Sequence, residues 1–299
     1  MTEEIISQQA DTNGSASPQG NTGRGREREE TEKRTAWAQL LNEALTKSGI
    51  IHEAYTRFWS YSIGNQILAY CQCVERRIPL GPLATYLKWK QLGRHVKKGS
   101  KALSLWMPFT YKRTQAASRD DEADEQHEIY YTRFALRGYW FVLSQTDGAE
   151  YQPEPLPAWN EEAALVSLQI TREEFTDLNG NVQGYAIRGR KVAVSPIAAH
   201  PRKTFFHELA HQVLNHVDDG DLSDGEHTAR NVREVEAEAV ALLCCKSLGL
   251  PGAEFSRAYI QSWAQGEPIT EKSAQRIFHA TDQILRAGRA PMHTGQEAN

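Results

Sequence analysis

The stretch His-Glu-Leu-Ala-His at 207–211 holds residue types and a spacing suited to binding a metal ion. Because four residues make about one turn of a helix, His207 and His211 would share a helical face, where two imidazole nitrogens can reach one ion. Glu208 would project beside the ion, where its carboxylate can take a proton from bound water and pass it to a leaving amine. The motif therefore predicts a Zn2+ site held by His207 and His211, with Glu208 as the catalytic base.

The residues around the motif favour this interpretation. Apolar side chains recur along 201–217 as in an amphipathic helix, and Pro201 lies near its first turn, where proline is tolerated. A predicted strand at 191–195 precedes the helix, and we expect it to be the edge strand that pairs with an extended peptide beside the metal. The plainer alternative is a buried helix that carries two histidines and binds no metal.

A third protein ligand is expected from the next predicted helix, at 232–248. Glu234 and Glu238 are four residues apart and share a face of that helix, whereas Glu236 is predicted to point away. We assign Glu234 as the third ligand and Glu238 as the residue that orients a ligand histidine, which is the arrangement of gluzincins. The reverse assignment stays open, as does a helix face that carries three solvated glutamates.

Other residues near the motif are weaker candidates. His216 lies five residues after His211, about 100° further round the helix than a four-residue step, so we predict a surface or core histidine. His200, His227 and Tyr259 could approach the metal or a developing oxyanion, and their spacing does not decide this.

The first half of the chain contains a strongly basic segment. Residues 34–113 hold 13 basic and 3 acidic side chains, whereas the whole chain has a net charge of −4. Cations and aromatic residues alternate at 86–101, which suits phosphate neutralisation and base stacking on single-stranded DNA. The alternative places the tryptophans in the core and the lysines on a solvated face, and for any single tryptophan we prefer it. The predicted DNA-binding residues are Tyr86, Lys88, Trp89, Lys90, Arg94, Lys97, Lys98 and Lys101.

Composition divides the chain into three parts. Residues 1–33 are polar with few apolar side chains, so they are predicted to form a disordered tail. The acidic, proline-containing segment 147–157 is the predicted linker between two domains, at 34–150 and 158–299. Both domains mix helical periodicity with short strands, so the predicted fold class is α+β.

The predicted elements follow from periodicity and from the positions of glycine and proline. A first helix starts at Trp37 and ends before Gly49. Further helices are expected at 57–77, 83–92, 161–169, 201–217, 232–248 and 256–286. Strands are expected at 101–108, 129–143 and 191–195, with a surface loop at 115–128 and a hairpin at 179–184.

Membrane and disulfide-stabilised proteins are excluded by the sequence. Apolar runs such as 239–245 fall far short of the ~20 residues that span a bilayer, and no basic segment followed by an apolar one opens the chain. The four cysteines lack zinc-knuckle spacing and are interpreted as reduced thiols of a cytoplasmic protein. No membrane partner is expected.

Several stretches together resemble the ArdC antirestriction family carried by conjugative plasmids. They include Tyr-Ser-Ile-Gly-Asn-Gln-Ile-Leu at 61–68 and Lys-Thr-Phe-Phe-His-Glu-Leu-Ala-His at 203–211. The others lie at 89–99, 141–146, 184–185 and 192–196. The resemblance implies a single-stranded-DNA-binding domain, a zincin-like metallopeptidase domain, and protection of incoming plasmid DNA from host restriction. Two positions depart from the common family pattern. Leu143 stands where the family often has Asp, and Ser100 stands where it usually has Glu. Neither residue lies in the metal motif.

The sequence thus predicts an antirestriction protein that binds single-stranded DNA and carries a zinc-dependent metallopeptidase site for an unidentified protein or peptide. The alternative is a DNA-binding protein whose zincin domain is a non-catalytic scaffold, although a scaffold would not need Glu208. A DNA mimic would require regularly spaced acidic residues. The segment 114–299 holds 17 basic and 28 acidic side chains but shows no such spacing.

Overall fold

The computed structural model describes residues 37–47, 49–114, 128–177, 181–217, 230–252 and 269–289. The tail predicted at 1–33 lies outside these residues, as do His227, Tyr259 and most of the predicted surface loop. Part of the hairpin predicted at 179–184 is also outside the described ranges.

Helices and strands both occur along the described residues and are largely grouped separately, so the fold class is α+β as predicted. The helices are α1 Trp37–Thr46, α2 Ile50–Phe58, α3 Ile63–Glu75, α4 Tyr86–Gln91, α5 Glu161–Leu168, α6 Pro201–Val213, α7 Arg230–Ser247 and α8 Glu271–Ala287. The strands are β1 Leu83–Thr85, β2 Arg94–Val96, β3 Leu103–Thr114, β4 Glu128–Val142, β5 Thr146–Gly148, β6 Thr171–Arg172, β7 Gly184–Ile187 and β8 Lys191–Val194.

The helix predicted at 57–77 begins only at Ile63 as α3, after a break, and the preceding helix α2 at Ile50–Phe58 was not predicted. Two side chains from the far end of the described chain form hydrogen bonds with backbone groups at the break. Asp282 Oδ1 accepts a hydrogen bond from the Ile63 N–H at 2.7 Å, and Arg289 donates one to the Trp59 carbonyl at 2.6 Å. These long-range partners satisfy backbone groups that a continuous helix would pair locally, so the prediction of one continuous helix over 57–77 is wrong.

The next helix is shorter than predicted because its first residues form a strand. The segment Leu83–Thr85, predicted as the start of a helix, pairs antiparallel with the end of β4. Helix α4 therefore begins only at Tyr86, where the Thr85 hydroxyl accepts a hydrogen bond from the Lys88 N–H. The resulting sheet has the strand order β1, β4, β3.

Helix α3 covers the outer edge of β3. The Gln72 amide bonds the Ser104 carbonyl at 2.8 Å and the Ser104 N–H at 2.9 Å. The Asn65 amide does the same for the carbonyl and N–H of Trp106, at 3.0 and 2.8 Å. The two side chains therefore take the place of a neighbouring strand along this part of the edge.

The second three-stranded sheet has the order β6, β8, β7. Strand β8 runs parallel to β6 and antiparallel to β7. The strand predicted at 191–195 is thus the centre of the sheet, and the expectation that it forms the edge beside the metal motif is wrong. The edge strands are β6 and β7; β7 lies beside the metal motif, is short and carries no strong apolar alternation.

One hydrophobic core joins helices from both predicted domains. Buried side chains of α1, α2 and α3 pack together with those of β8, α6, α7 and α8, for example Leu41, Val192 and Ile284. The segment Ala36–Asn299 forms one compact unit. The division into two domains near residue 150 stays a prediction.

The cysteines lie within this architecture as free thiols. Burial raises the pKa of the Cys73 thiol to about 11, which keeps it protonated near neutral pH. Over the described ranges, each helix is too short or too polar to cross a bilayer.

Candidate metal centre

Helices α6 and α7 bring the predicted metal ligands together. Phe206 and Leu209 are fully buried, which fixes the rotation of α6 and turns His207 and His211 toward α7. The two Nε2 atoms are 3.1 Å apart, and Glu234 Oε2 lies 3.4 Å from the first and 3.8 Å from the second. The three side chains offer ligand atoms that all lie within 4.8 Å of one another.

Glu238 lies behind His207. Its Oε2 is 3.1 Å from His207 Nδ1, and its Oε1 is 2.6 Å from Lys203 Nζ. The residue is only 3% exposed, and a carboxylate this buried requires such partners. Because Glu238 accepts the Nδ1–H of His207, the Nε2 lone pair of that ring is left to face the site.

A second histidine lies behind His211. The Nδ1 atoms of His211 and His216 are 3.1 Å apart, and His216 Nε2 is 3.0 Å from Glu236 Oε2. His216 is a core histidine, one of the two options predicted from its spacing, but it also contacts a candidate ligand. Glu236 points away from the candidate ion as predicted, yet it enters the interior rather than solvent and is 1% exposed.

The sequence contains a signal that could have revealed this contact. Glu236 lies in a run that is otherwise apolar over most of 235–245. A carboxylate in a buried helix face must find a charged or hydrogen-bonding partner, and His216 is near in sequence to the metal motif.

The hydrogen bonds decide which nitrogen of each ring carries a proton. His216 Nε2 donates to Glu236, so in a neutral ring its Nδ1 is bare and accepts the Nδ1–H of His211. Both His211 and His207 then present Nε2 lone pairs to one another across 3.1 Å. Two lone pairs this close repel each other unless a cation lies between them. The arrangement and the donor set of two imidazoles and one carboxylate fit a divalent metal ion.

The pKa values of the residues at this site also favour a positive charge between the two imidazoles. Burial opposes a charge on His207, but hydrogen bonds to Glu234 and Glu238 outweigh it and raise the pKa to about 9. Burial and the positive charge on His207 lower the pKa of His211 to about 3. Burial raises the pKa of Glu208 to about 7. The surroundings therefore favour a single positive charge at the facing nitrogens.

Strand β7 passes so close to α6 that glycine is required at position 184. A Cβ there would lie 2.6 Å from Thr204 Cγ2, 2.9 Å from the Ala193 carbonyl oxygen and 3.1 Å from Glu208 Oε1. Close approach of the backbone is a common use of glycine. It places the Glu208 carboxylate directly beside the edge strand.

Some backbone N–H and C=O groups of β7 point away from the sheet, beside the candidate metal site. The Ser195 N–H donates to the Gln183 carbonyl at 2.8 Å, so these residues form a hydrogen-bonded pair of the antiparallel ladder. Pairs of this kind alternate with non-bonded ones, so Gly184 and Ala186 direct their N–H and C=O groups away from β8.

Two clefts of about 260 Å³ each meet at Glu208. The first is lined by Val182, Gln183, Gly184, Lys203, Thr204, His207 and Glu238. The second is lined by Ala186, His211, His216, Val217, Arg230, Arg233 and Glu234. His200 lies at the start of α6, where its ring packs beside Gly252.

Among the predicted DNA-binding residues, Trp89 belongs to the core. It is 1% exposed, and its Nε1–H donates to the Phe141 carbonyl at 2.8 Å. The indole anchors α4 on β4, so its faces cannot receive a base without disruption of this packing. Trp89 is therefore removed from the stacking residues that the sequence suggested.

Arg94 and Lys97 serve to join β2 to β5. Arg94 donates to the Thr146 hydroxyl at 2.8 Å and to the Thr146 carbonyl at 3.0 Å. Lys97 Nζ donates to the Ser144 carbonyl at 3.1 Å and lies 3.4 Å from an Asp147 carboxylate oxygen. A phosphate would have to compete with these contacts. The other predicted residues are exposed, namely Tyr86, Lys88, Lys90, Lys98 and Lys101.

A second group of exposed aromatic residues lies on the β3–β4 hairpin and was missed in the sequence. Phe109 is 42% exposed, and its ring centroid is 6.4 Å from that of Tyr111. Arg133 pairs with Phe109 in the register and lies over the Tyr111 ring at 5.0 Å. Phe134 and Tyr139 are also exposed. Alternation along a strand predicts one buried and one exposed face, so the sequence does not reveal which of these aromatic side chains stay exposed.

Comparison with known proteins finds similarity to ArdC antirestriction proteins. Residues 28–140 match the N-terminal domain of the anti-restriction factor ArdC. This part of the chain is therefore similar to the N-terminal domain of ArdC proteins. A crystal structure of the metal-free antirestriction ArdC protein from the R388 plasmid shares the fold, with a TM-score of 0.50 and 21% identity over 86% of this chain and 94% of that one.

Two further relatives are more distant or only partly covered. The Mn(II)-bound structure of the same ArdC protein matches with a TM-score of 0.46 and 20% identity, over 87% of this chain and 98% of that one. An uncharacterized protein of Bacillus anthracis, pXO2-81, is 24% identical over 256 residues, covering 68% of this chain. The chain spans 41% of the length of that relative.

Proposed function

We propose that this ArdC-like chain is a zinc-dependent peptidase with an N-terminal single-stranded-DNA-binding part, and that it protects incoming DNA from restriction. The observation that carries the peptidase proposal is the pair of imidazole Nε2 atoms 3.1 Å apart, with Glu234 Oε2 at 3.4 Å from one of them. His207, His211 and Glu234 would hold the ion, and Glu238 would orient His207. Zinc is proposed because open sites with three such ligands suit Zn2+.

The chemistry of the site would follow from groups already in place. A bound zinc ion would lower the pKa of a water and polarise the substrate carbonyl. Glu208 would hold that water, remove its proton at a carboxylate oxygen and deliver the proton to the leaving amine. The outward N–H and C=O groups of Gly184 and Ala186 would pair with an extended peptide, which would lie along β7 beside Glu208.

Glu208→Gln tests the peptidase proposal. The zinc-loaded full chain would be incubated with unfolded protein mixtures, and new peptide termini would be identified by mass spectrometry. We expect cleavage by the wild type, none by Glu208→Gln with its zinc retained, and wild-type cleavage by the control Glu162→Gln, an exposed carboxylate on α5. Equal termini with wild type and Glu208→Gln would contradict the proposal and favour the non-catalytic scaffold.

The DNA-binding proposal rests on the exposed cations of the basic segment and on the exposed aromatic residues beside them. Lys88, Lys90, Lys98 and Lys101 offer charge to phosphates, and Tyr86 offers an accessible ring for stacking. Binding to single-stranded oligonucleotides should weaken steeply as salt rises, because phosphate neutralisation releases counterions. Tighter binding to duplex than to single strands, measured by fluorescence anisotropy, would contradict the stacking component.

The biological role is proposed from the family match, whose N-terminal domain is that of an anti-restriction factor. In a cytoplasmic setting, the chain would act on DNA that enters by conjugation. A restriction-protection assay with wild type and Glu208→Gln separates two versions of this role. Protection lost in Glu208→Gln would tie it to peptide hydrolysis, and equal protection would assign it to the DNA-binding part alone.

A further inference from the structure

A buried chain of side chains ends at His211. His211 Nδ1 is 3.1 Å from His216 Nδ1, His216 Nε2 is 3.0 Å from Glu236 Oε2, and Arg276 of α8 is 3.4 Å from the same oxygen. The His216 and Glu236 side chains are 2% and 1% exposed. A buried carboxylate and imidazole in this geometry are held by each other and by Arg276.

The backbone around His216 is anchored as well. Helix α6 ends after Val213, and Asn215 takes a left-handed φ of 57°, which turns the chain back so that the His216 N–H donates to the His211 carbonyl at 2.9 Å. Arg233 donates to the His216 carbonyl at 2.9 Å, and Arg276 donates to the Leu214 carbonyl at 3.0 Å. The imidazole is therefore fixed both through its ring and through its backbone.

The same construction stands behind the other candidate ligand. His207 contacts Glu238, and Glu238 contacts Lys203. Each facing imidazole is thus backed by a buried carboxylate, and each carboxylate is paired with a cation. On the His211 side the carboxylate acts through an inserted histidine, and the cation comes from α8.

We propose that His216 is a positioning residue, which Glu236 and Arg276 hold as a neutral Nδ1 acceptor so that it fixes the tautomer and ring orientation of His211. Glu236 takes the Nε2–H of His216, and the bare Nδ1 of His216 takes the Nδ1–H of His211. The Nε2 lone pair of His211 is thereby directed at the site, whether or not an ion is present. The inference rests on the proposed metal site and adds α8 to the elements that shape it.

Metal affinity tests the proposal with matched variants. Zinc would be titrated into the metal-free full chain in competition with a chromophoric chelator. His216→Phe should bind zinc about 10- to 100-fold more weakly, the usual cost of losing a partner of a ligand histidine. His216→Gln should recover most of the affinity, because its amide can accept from His211 and donate to Glu236. The control His279→Phe removes an exposed histidine of α8 and should match the wild type.

Nitrogen NMR of histidine-labelled, metal-free protein adds a readout that a purely structural role would not change. In the wild type, His211 should appear as the Nδ1–H tautomer. In His216→Phe, His211 should populate both tautomers while the His207 signals stay unchanged. Glu236→Gln should shift His211 in the same direction to a smaller extent.

The proposal is overturned if His216→Phe binds zinc as tightly as His279→Phe, or if the His211 tautomer is the same in wild type and His216→Phe. If His216→Phe does not fold, a Glu236→Gln protein with the zinc affinity and the His211 tautomer of the wild type overturns it equally. A chain that binds zinc through this network but cleaves no peptide would refute the peptidase proposal and support the present one. If the wild type binds no zinc, the tautomer measurement alone decides.

Discussion

At the residue scale, three glutamates of one helix turn have three different surroundings. Glu234 is half-buried and faces the two imidazoles, Glu236 is buried against His216, and Glu238 is buried against His207. Spacing distinguishes Glu236 from the other two, but only the contacts distinguish Glu234 from Glu238. These contacts lead to different expectations for metal content.

Glu234→Ala is expected to lose bound zinc, because it removes a proposed ligand atom from a three-ligand site. Glu238→Ala is expected to keep zinc with about 10- to 100-fold weaker affinity, because His207 loses the acceptor for its Nδ1–H. Metal content and chelator competition on the purified variants measure both effects. Full zinc in Glu234→Ala together with none in Glu238→Ala would reverse the two assignments.

The basic segment offers a second contrast between single residues. Lys98 is exposed, whereas the Arg94 guanidinium donates hydrogen bonds to the Thr146 hydroxyl and carbonyl. Lys98→Ala should weaken single-stranded DNA binding at low salt and lower its salt dependence by about one counterion, with stability unchanged. Arg94→Ala should lower the free energy of unfolding by about 1–3 kcal/mol, because buried acceptors lose a charged donor.

Anisotropy titrations at several salt concentrations and denaturant unfolding separate the two variants. An unstable Lys98→Ala protein, or an Arg94→Ala protein with native stability and weak DNA binding, would show that the structural and DNA-contacting roles are exchanged.

At the scale of elements, the outer edges of the two three-stranded sheets have different surroundings. The outer edge of β3 is covered by amide side chains of α3, whereas β7 directs backbone groups outward beside the candidate metal site. A covered edge resists pairing with other chains, and an open one can accept an extended peptide. The contrast places the potential for strand addition next to Glu208.

Asn65→Leu is expected to destabilise the chain by about 1–3 kcal/mol, because the Trp106 N–H and C=O lose their partner. The Asn65 amide makes both of these bonds, at 3.0 and 2.8 Å. Denaturant unfolding measures the loss, and Gln275→Leu on the exposed face of α8 is the control that should stay near wild-type stability. A stable Asn65→Leu protein would mean that water replaces the amide at this edge.

At the scale of the whole molecule, α8 ties the beginning of the described chain to its end. Glu271 accepts hydrogen bonds from the Trp37 and Ala38 N–H groups at 2.8 and 3.1 Å, at the start of α1. Asp282 does the same for Ile63 at the start of α3. A carboxylate at a helix N-terminus satisfies free N–H groups and interacts favourably with the helix dipole. A fragment that ends near residue 150 would lack both caps.

Asp282 should make stability depend on pH. Burial raises its pKa to about 6, although the Ile63 N–H and the nearby Arg286 and Arg289 act in the opposite direction. The native chain then binds more protons than the unfolded chain between the ordinary carboxyl pKa and about 6, so the Asp282 contribution is present at low pH and is lost as pH rises through this window. A shift of this size corresponds to about 3 kcal/mol.

Asp282→Asn keeps an oxygen that can accept from Ile63 and does not titrate. The difference in free energy of unfolding between wild type and this variant should therefore change by about 2 kcal/mol from pH 4 to pH 7, to the disadvantage of the wild type at higher pH. Subtraction removes the titration of all other groups. A difference that does not vary with pH would show that Asp282 is charged at the same pH in both states.

The sequence by itself determined the features that depend on short spacing. The His-x-x-x-His repeat fixes two imidazoles on one helical face wherever that helix packs, and Glu234 and Glu238 share a face for the same reason. Most of the helices and long strands were also predicted within a few residues, and the resemblance at 61–68 and 89–99 agrees with the ArdC N-terminal domain match at 28–140.

Only the tertiary structure decided which groups are covered and by what. Trp89 lies in the core because Phe141 accepts its N–H, α2 and α3 are separate because Asp282 and Arg289 take up the backbone between them, and β7 rather than β8 is an edge strand. These outcomes depend on partners that are distant in sequence. Local periodicity indicates which face of an element is apolar, but not which neighbour will bury it or which polar group will satisfy its backbone.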